Sequence, residues 1–396
     1  GRGKQAERMM TAKRFWLTWS FCLALAIFVV ALVFSQWHLK QYTREVSSRL
    51  QLLNELRQGA LQIYFGTAEA EIKAWASSPL IVDAQAALTQ VWSQADAAAM
   101  TAEVRRAYMT DNPYPAGKYK ELSQADNSVY SEVHAQLHET ARRFVTERGY
   151  YDFFLIGNDG HIYYSVEKED DFATSLLDGP WRDTGLGNVY RRALASVGAV
   201  VMSDLENYGP SNGDPAIFMA DAILSPEGDT LGVIAFQLPT SRILSIMNYT
   251  SGMGETGETY LVGEDLMMRS NSRFSGDSTV LELRVDTETV GLALAGEEGV
   301  QYTADYRGVE VLSAYDSIPV AQSRWAVMAE IDRAEVAVLA ARERPAIGGA
   351  LLLLYGLSLW SIWYWRGREM PQANADLPPV EMGGSDFADD GGSMGG

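Results

Sequence analysis

Two uncharged apolar stretches, Phe15–Phe34 and Ala346–Trp365, frame this chain of 396 residues. A helix needs roughly 20 apolar residues to cross the hydrocarbon core of a bilayer, and each stretch meets that length. Residues 35–345 between them mix polar and apolar residues as a water-soluble domain does. Such a chain reads as two transmembrane helices holding one large domain on one side of the membrane. The first stretch has a second reading, a cleaved signal peptide. Its apolar run exceeds the roughly 7–15 residues of a signal core. No small-x-small site follows at Phe34-Ser35-Gln36-Trp37-His38, which favours a retained anchor.

Basic residues set the orientation. Arg2, Lys4, Arg8, Lys13 and Arg14 precede the first stretch, against Lys40 and Arg44 after it, so the N-terminus is expected in the cytoplasm. Arg342 and Arg344 precede the second stretch and Arg366 and Arg368 follow it, which is ambiguous alone; two crossings return the chain to its starting side. Trp16, Trp19, Trp37, Trp363, Tyr364 and Trp365 suit the two membrane interfaces.

The formal charge is −19, with the acid excess in the middle region and the tail. Nucleic-acid binders present a basic face, so no nucleic-acid partner is expected. The only cysteine, Cys22, lies in the first apolar stretch, so the large domain holds itself together without disulfides. A bacterial periplasm suits that better than a small disulfide-stapled secreted module.

Residues 36–76 read as one helix running on from the first stretch, broken at Ser77-Ser78-Pro79. An alanine-rich helix is expected from about Ile81 to Tyr108, a loop at Asn112–Gly117, and a helix from Glu121 to Arg148 ended by Gly149. The pattern then changes to strands at Tyr151–Ile156, His161–Val166, Ala199–Asp204, Ala216–Leu224 and Thr230–Leu238, with a short helix near Gly187–Ser196. This predicts an α+β module: a five-stranded antiparallel sheet with helices on one side. A weaker copy follows. Phe154-Leu155-Ile156-Gly157-Asn158-Asp159 is echoed by Tyr260-Leu261-Val262-Gly263-Glu264-Asp265, and Leu231–Phe236 by Trp325–Glu330. Two sheet modules in tandem are inferred, joined by Pro239–Gly257, with a helix from Arg333 to Arg344 leading to the second stretch. The tail, rich in Gly, Asp, Pro and Met, is expected to be disordered.

This organisation resembles the double Cache extracellular sensor domain of bacterial chemoreceptors, sensor kinases and nucleotide cyclases. The residues that carry the resemblance are Tyr151–Ile156, Gly179-Pro180-Trp181 ahead of a helix, Gly254-Glu255-Thr256-Gly257-Glu258-Thr259-Tyr260-Leu261-Val262-Gly263, and Asp305-Tyr306-Arg307-Gly308-Val309. It covers about residues 36–345. It implies tandem PAS-like antiparallel sheets on a long N-terminal helix, flanked by two transmembrane helices. The implied division is a cytoplasmic N-terminus (1–14), a transmembrane helix (15–34), a helical stalk (35–149), a membrane-distal module (150–250), a membrane-proximal module (251–345), a second transmembrane helix (346–365) and a cytoplasmic tail (366–396). The resemblance also implies a small-molecule pocket in the distal module, between its sheet and the covering loop and helix. Members that bind amino acids carry an Arg followed shortly by Trp-Tyr near that loop. In Asp178-Gly179-Pro180-Trp181-Arg182 only the Trp matches, which argues against an amino-acid ligand. A chemoreceptor, kinase or cyclase would continue into its output domain after the second span; here Arg366-Gly367-Arg368-Glu369-Met370-Pro371 leads into the loose tail.

A pocket for a small charged ligand needs an opposite charge and a few directed donors in a mostly apolar cleft. The candidates are Tyr164, Trp181, Arg182, Asp204, Tyr208 and Asp221, with Arg182 placed to pair a carboxylate or phosphate and Asp204 or Asp221 an amine. Taken singly, each aromatic is also read as core and each charge as surface. His134 and His138, four apart on a helix, make half a zinc site, but no third ligand is evident and both are read as solvated. No cofactor and no metal is expected. The sequence lacks the Gly-x-Ser-x-Gly, His-Glu-x-x-His and Cys-x-x-Cys motifs and the P-loop ending, so the chain reads as a non-enzyme.

Two functions remain. One is a bacterial inner-membrane sensor with its large domain in the periplasm, a homodimer that binds a small molecule and signals across the bilayer through a separate output protein. The other is an accessory or scaffold subunit of a larger membrane complex, with Gly348, Gly349 and Gly356 allowing close helix approach.

Overall fold

The computed structural model describes residues 2–94, 96–342 and 344–368. The chain divides into two compact units, Gly1–Gln41 with Ala340–Gly396, and Tyr42–Leu339. The first unit holds the apolar part of helix α1 (Arg2–Ala76) and helix α9 (Arg344–Arg368). Among the described residues α1 is the one helix long and apolar enough to cross a membrane. The apolar run of α9 is described over Gly348–Ser361, shorter than a crossing, so the expected pair of spans is met at the first end alone. The expectation for the tail falls on residues 369–396, outside those described.

In the second unit, α1 buries a helical stripe of Val46, Leu50, Asn54, Leu61, Ala68, Ile72 and Ala76. Ser78 stops this helix and starts the next: its hydroxyl accepts the Ile81 N–H, and Pro79 fills the first position of α2 (Pro79–Trp92), where a missing N–H costs nothing. The single helix expected to Tyr108 is in fact two. Asp96 caps α3 (Ala97–Arg105), with its carboxylate accepting from Ala98 and Ala99 N–H, and a cap of that kind starts a new helix rather than continuing an old one. Likewise α4 (Val129–Arg148) begins later than expected because Ser128 caps it. It ends at Gly149, where φ is 75°.

The first sheet contains β1 (Asp152–Gly157), β2 (Ile162–Ser165), β3 (Val201–Met202), β4 (Glu206–Asn207), β5 (Pro215–Leu224) and β6 (Thr230–Leu238), with α5 (Gly185–Ala195) between β2 and β3. The order is β2-β1-β6-β5-β3, with β4 also on β5 and every pairing antiparallel. It has six strands rather than five, because the strand expected at 199–204 is only the short β3 and a further two-residue strand, β4, follows it after Ser203–Leu205. Helices cover both faces rather than one. Phe153, Leu155, Ile217, Met219, Ile234 and Phe236 pack under the helical layer, while Phe154, Ile156, Phe218, Ala220, Val233 and Ala235 pack under α5 and the loop before it. Alternate residues of one strand thus enter two cores, and both must be dry because both are apolar.

Helix α6 (Thr240–Met247) leads to the second sheet: β7 (Glu258–Val262), β8 (Gly299–Ala304), β9 (Glu310–Val320) and β10 (Ser323–Asp332), in the antiparallel order β7-β10-β9-β8, with α7 (Glu288–Leu294) on one face. The opposite face carries α1: Val46 and Leu50 pack on Leu312, Ala314, Ala329 and Ile331. The Asn54 amide donates to Ala314 O and Val327 O at 2.9 and 3.0 Å. A turn at Gly254–Gly257 leads into β7. Its Glu255 and Thr256 N–H groups hold the Glu335 carboxylate of α8 (Arg333–Ala341), which ties that helix to the entry of β7. The two tandem modules on one long helix are the architecture that the Cache resemblance implies.

Candidate functional site

Burial of unpaired polar groups is costly unless something satisfies them, so such groups mark where a ligand belongs. Three of them lie together on the first sheet, beneath the loop from β2 to α5. Asp171, on that loop, is 1 % exposed. Its Oδ2 accepts the Tyr208 hydroxyl at 2.6 Å, and its Oδ1 has no partner. Gln237, on β6, donates from Nε2 to Ser211 Oγ, and its Oε1 has no partner. Trp181, at the C-terminal end of the loop, has its indole N–H buried and unpaired; its ring lies 6.3 Å from that of Tyr208. Tyr208 in turn stands edge-on to Phe218 of β5 at 4.7 Å. The Ser211 hydroxyl donates to Glu169 at 2.7 Å, and Tyr151 donates to the same carboxylate at 2.6 Å.

The site is acidic and buried. Burial above all, with the nearby Glu169 charge adding to it, pushes the Asp171 carboxyl up to about 7 despite the Tyr208 bond. Burial likewise raises Glu169 and, strongly, Asp152, which faces Gln237 across the β1–β6 pairing. Asp152 is held by the Ser165 hydroxyl and by the Val166 and Glu167 N–H groups. Two unpaired acceptors call for a donor-rich group, of which a protonated amine is the simplest. The unpaired indole N–H calls for an acceptor on the same ligand.

The structure separates the six sequence candidates. Trp181 and Tyr208 come together as the roof and wall of this cluster. Tyr164 lies on the other face of the sheet, where its hydroxyl donates to His138 Nδ1 at 2.8 Å. Asp221 follows Ala220 on β5, whose side chain enters the core under α5, so by alternation it faces the helical layer, where the Lys73 charge acts on it. Arg182 is exposed and pairs with Asp183. Asp204 joins the two modules. It accepts from Arg269 Nε and Nη2 at 3.2 and 3.0 Å and from Trp325 Nε1 at 2.7 Å, at the rim of a cavity of about 380 Å³.

The histidines are buried, not solvated. Their rings stack at 4.5 Å. A carbonyl can only accept, so His138 donates from Nε2 to Lys120 O and His134 from Nδ1 to Ser123 O. Each therefore has one ring nitrogen committed as a donor, and burial drives His138 down to about 3. Beside them Lys168 is fully buried, its ammonium on Ser165 O and Val166 O and over the Tyr108 and Tyr164 rings. Burial lowers it to about 7, against the pull of Asp152 and Glu167.

No family model and no curated protein matches the sequence. Similar solved structures include chemoreceptor ligand-binding domains. One is the domain of PctB from Pseudomonas aeruginosa PAO1 in complex with L-Arg, at 11 % identity, with 79 % of this chain and 99 % of that one covered and a TM-score of 0.47. Another is that of Campylobacter jejuni Tlp3 in complex with L-valine, at 11 % identity, 76 % and 98 % covered, TM-score 0.44. A third is Pseudomonas fluorescens CtaA in complex with L-serine, at 16 % identity, 64 % and 94 % covered, TM-score 0.36.

Asp171, Glu169, Ser211 and Gln237 escaped sequence reasoning. Glu167-Lys168-Glu169-Asp170-Asp171 reads as a solvated charge run, and only the fold turns Lys168 and Asp171 inward. Gln237 left a readable signal: it is the one polar residue in the apolar strand Thr230–Leu238 past its first position.

Proposed function

We propose that this chain is a membrane-anchored bacterial sensor whose distal module binds a small amine beneath the loop from β2 to α5. The reading rests on the unpaired Asp171 Oδ1, Gln237 Oε1 and Trp181 N–H, three buried groups that lack partners within one connected cluster. An ammonium donates to the two oxygens, and an acceptor elsewhere on the ligand takes the indole N–H. The apolar side chains of Phe218, Tyr208 and Trp181 fill the remaining space, so the ligand enters by displacing the partly buried Trp181 and the loop that carries it. The domain sits in the periplasm, anchored to the inner membrane by the apolar part of α1 and by a second span in α9. The protein acts as a homodimer that passes its signal to a separate output protein. A ligand that binds two arrangements of the loop unequally shifts their populations, and α1, which packs on both sheets, carries the difference.

The test is a thermal-shift panel on the full-length protein in mild detergent, comparing small amines with analogues that lack the amino group. The reading expects at least one amine to raise the melting temperature with saturation, and the matching analogue not to. It also expects Asp171→Asn to abolish the shift while still melting cooperatively. A panel in which amines and their analogues behave alike would refute it.

A further inference from the structure

The loop that follows β2 is shared between the amine site and the helical layer. Glu169 and Asp171 turn to the amine site, where Tyr151, Ser211 and Tyr208 donate to them. Lys168, Phe172 and Ala173 turn to the helical layer, and all three are fully buried. Glu167 meets Lys120, at 2.5 Å, in the segment before α4. Residues joined by one peptide bond cannot move independently, so whatever displaces Asp171 also pulls on Phe172.

The backbone is strained on either side of Glu169–Asp171. Lys168 and Ala173 have φ of 58° and 61°, the left-handed region that a β-carbon disfavours. Such conformations persist only where their surroundings over-determine them, and they gather at clamps and switches. Here the restraint comes from the root of the loop and from α3. The Lys168 ammonium donates to Ser165 O and Val166 O at 3.1 and 3.2 Å. Thr101 of α3 donates to Ala173 O at 2.7 Å, and Arg105 of α3 to Asp170 O and Phe172 O at 2.9 and 2.7 Å. One short helix thus holds three carbonyls of the loop that carries Asp171.

We propose that residues 167–173 form a strained latch through which occupancy of the amine site is felt by α3 and the helical layer. The proposal rests on the amine reading and names how that site reports. A ligand seated against Asp171 competes with the Tyr208 bond and shifts the residue. That shift draws Phe172 and Ala173 away from Arg105 and Thr101. Relief of the left-handed residues favours the open arrangement, and the bonds from α3 favour the closed one. The loop therefore has two arrangements, and a ligand that prefers one of them sets the balance. The change has a route onward, because Met100 and Val104 of α3 lie in the same apolar cluster as Leu61 and Ile72 of α1.

The test is hydrogen exchange read by mass spectrometry on the full-length protein in detergent. It uses no ligand, so its failure and the failure of the amine reading are told apart. Thr101→Val keeps the shape of the side chain and deletes the bond to Ala173 O. It is expected to speed local opening about three- to tenfold, as the loss of one neutral hydrogen bond does, in peptides covering residues 168–181 and, on the site side, 206–212. Peptides from β1 and β6 keep the parent rates. Coupling between two places is reciprocal, so Tyr208→Phe, which removes the bond to Asp171 in the site, is expected to speed exchange in residues 101–110. Should Thr101→Val fold poorly, Arg105→Gln, at a half-buried side chain, serves the same comparison. Exchange that is faster only on the side of each substitution, uniformly faster through the domain, or unchanged overturns the proposal.

Discussion

Asp171 is the residue on which the proposed amine site turns. Its carboxyl titrates near 7 in the folded chain, against about 4 when unfolded. Between those values the native state binds more protons than the unfolded state, so the contribution of Asp171 to stability is full below pH 4 and falls as pH rises to 7. His138 works in the opposite sense: with its folded value near 3, it contributes stability that grows from pH 3 to 6.5. The two partly cancel in the parent, so the difference between variants is the clean observable. Asp171→Asn is expected to gain on the parent by roughly 3–4 kcal/mol between pH 4 and 7, read from urea melts of the ligand-free proteins, since each tenfold in proton affinity is about 1.4 kcal/mol. A constant difference across that range would contradict the burial argument. Gly209 makes a steric counterpart. A β-carbon there would lie 2.7 Å from the Trp181 ring, so Gly209→Ala is expected to displace Trp181 and weaken amine binding about tenfold or more with little change in the Asp171 titration.

At the scale of elements, two polar links hold the modules to one another and to α1. Arg269 is almost fully buried against Asp204, which keeps a third of its side chain in solvent. Removing one partner of such a pair strands the other charge; with Asp204 part-screened, Arg269→Met is expected to cost about 2–4 kcal/mol in a denaturant melt. Asn54→Ala leaves two carbonyls of the second sheet without their amide donor and is expected to cost about 1–3 kcal/mol. These links also show where sequence reasoning stops. The helical run of residues 36–76, the Ser-Pro break after it and the apolar strands β5 and β6 are local signals, so the long helix and the repeat of two sheets could be read directly, although of the apolar residues along that helix Leu50 and Leu61 are buried while Leu56 and Ile63 are exposed. The bond between Asp204 and Arg269 joins residues far apart in the chain, and nothing in the pattern around Asp204 separates an inter-module anchor from a ligand carboxylate. The covering of the first sheet on both faces was equally hidden: its strands are apolar throughout, and a buried strand reads the same whichever layer lies above it. The cap at Asp96 lies inside an alanine-rich run that reads as one longer helix, whereas the cap at Ser128 was legible in residues 123–128, where Ser, Asp and Asn favour a helix start.

On the scale of the whole molecule, α1 packs on both sheets and β7 is tied to α8 through Glu335. In this account the loop over Asp171 is the part that responds to ligand and the long helix is the part that reports it. Everything depends on whether an ammonium group sits against Asp171. Calorimetric titration of the most stabilising amine into the full-length protein at pH 6.5, repeated in buffers of different ionisation heat, measures this directly. An ammonium beside Asp171 favours its carboxylate, so a group largely protonated in the free protein must give up its proton on binding. The account predicts release of most of one proton per ligand from the parent and none from Asp171→Asn. Tight binding without proton release, or the same release from the Asn variant, would contradict it.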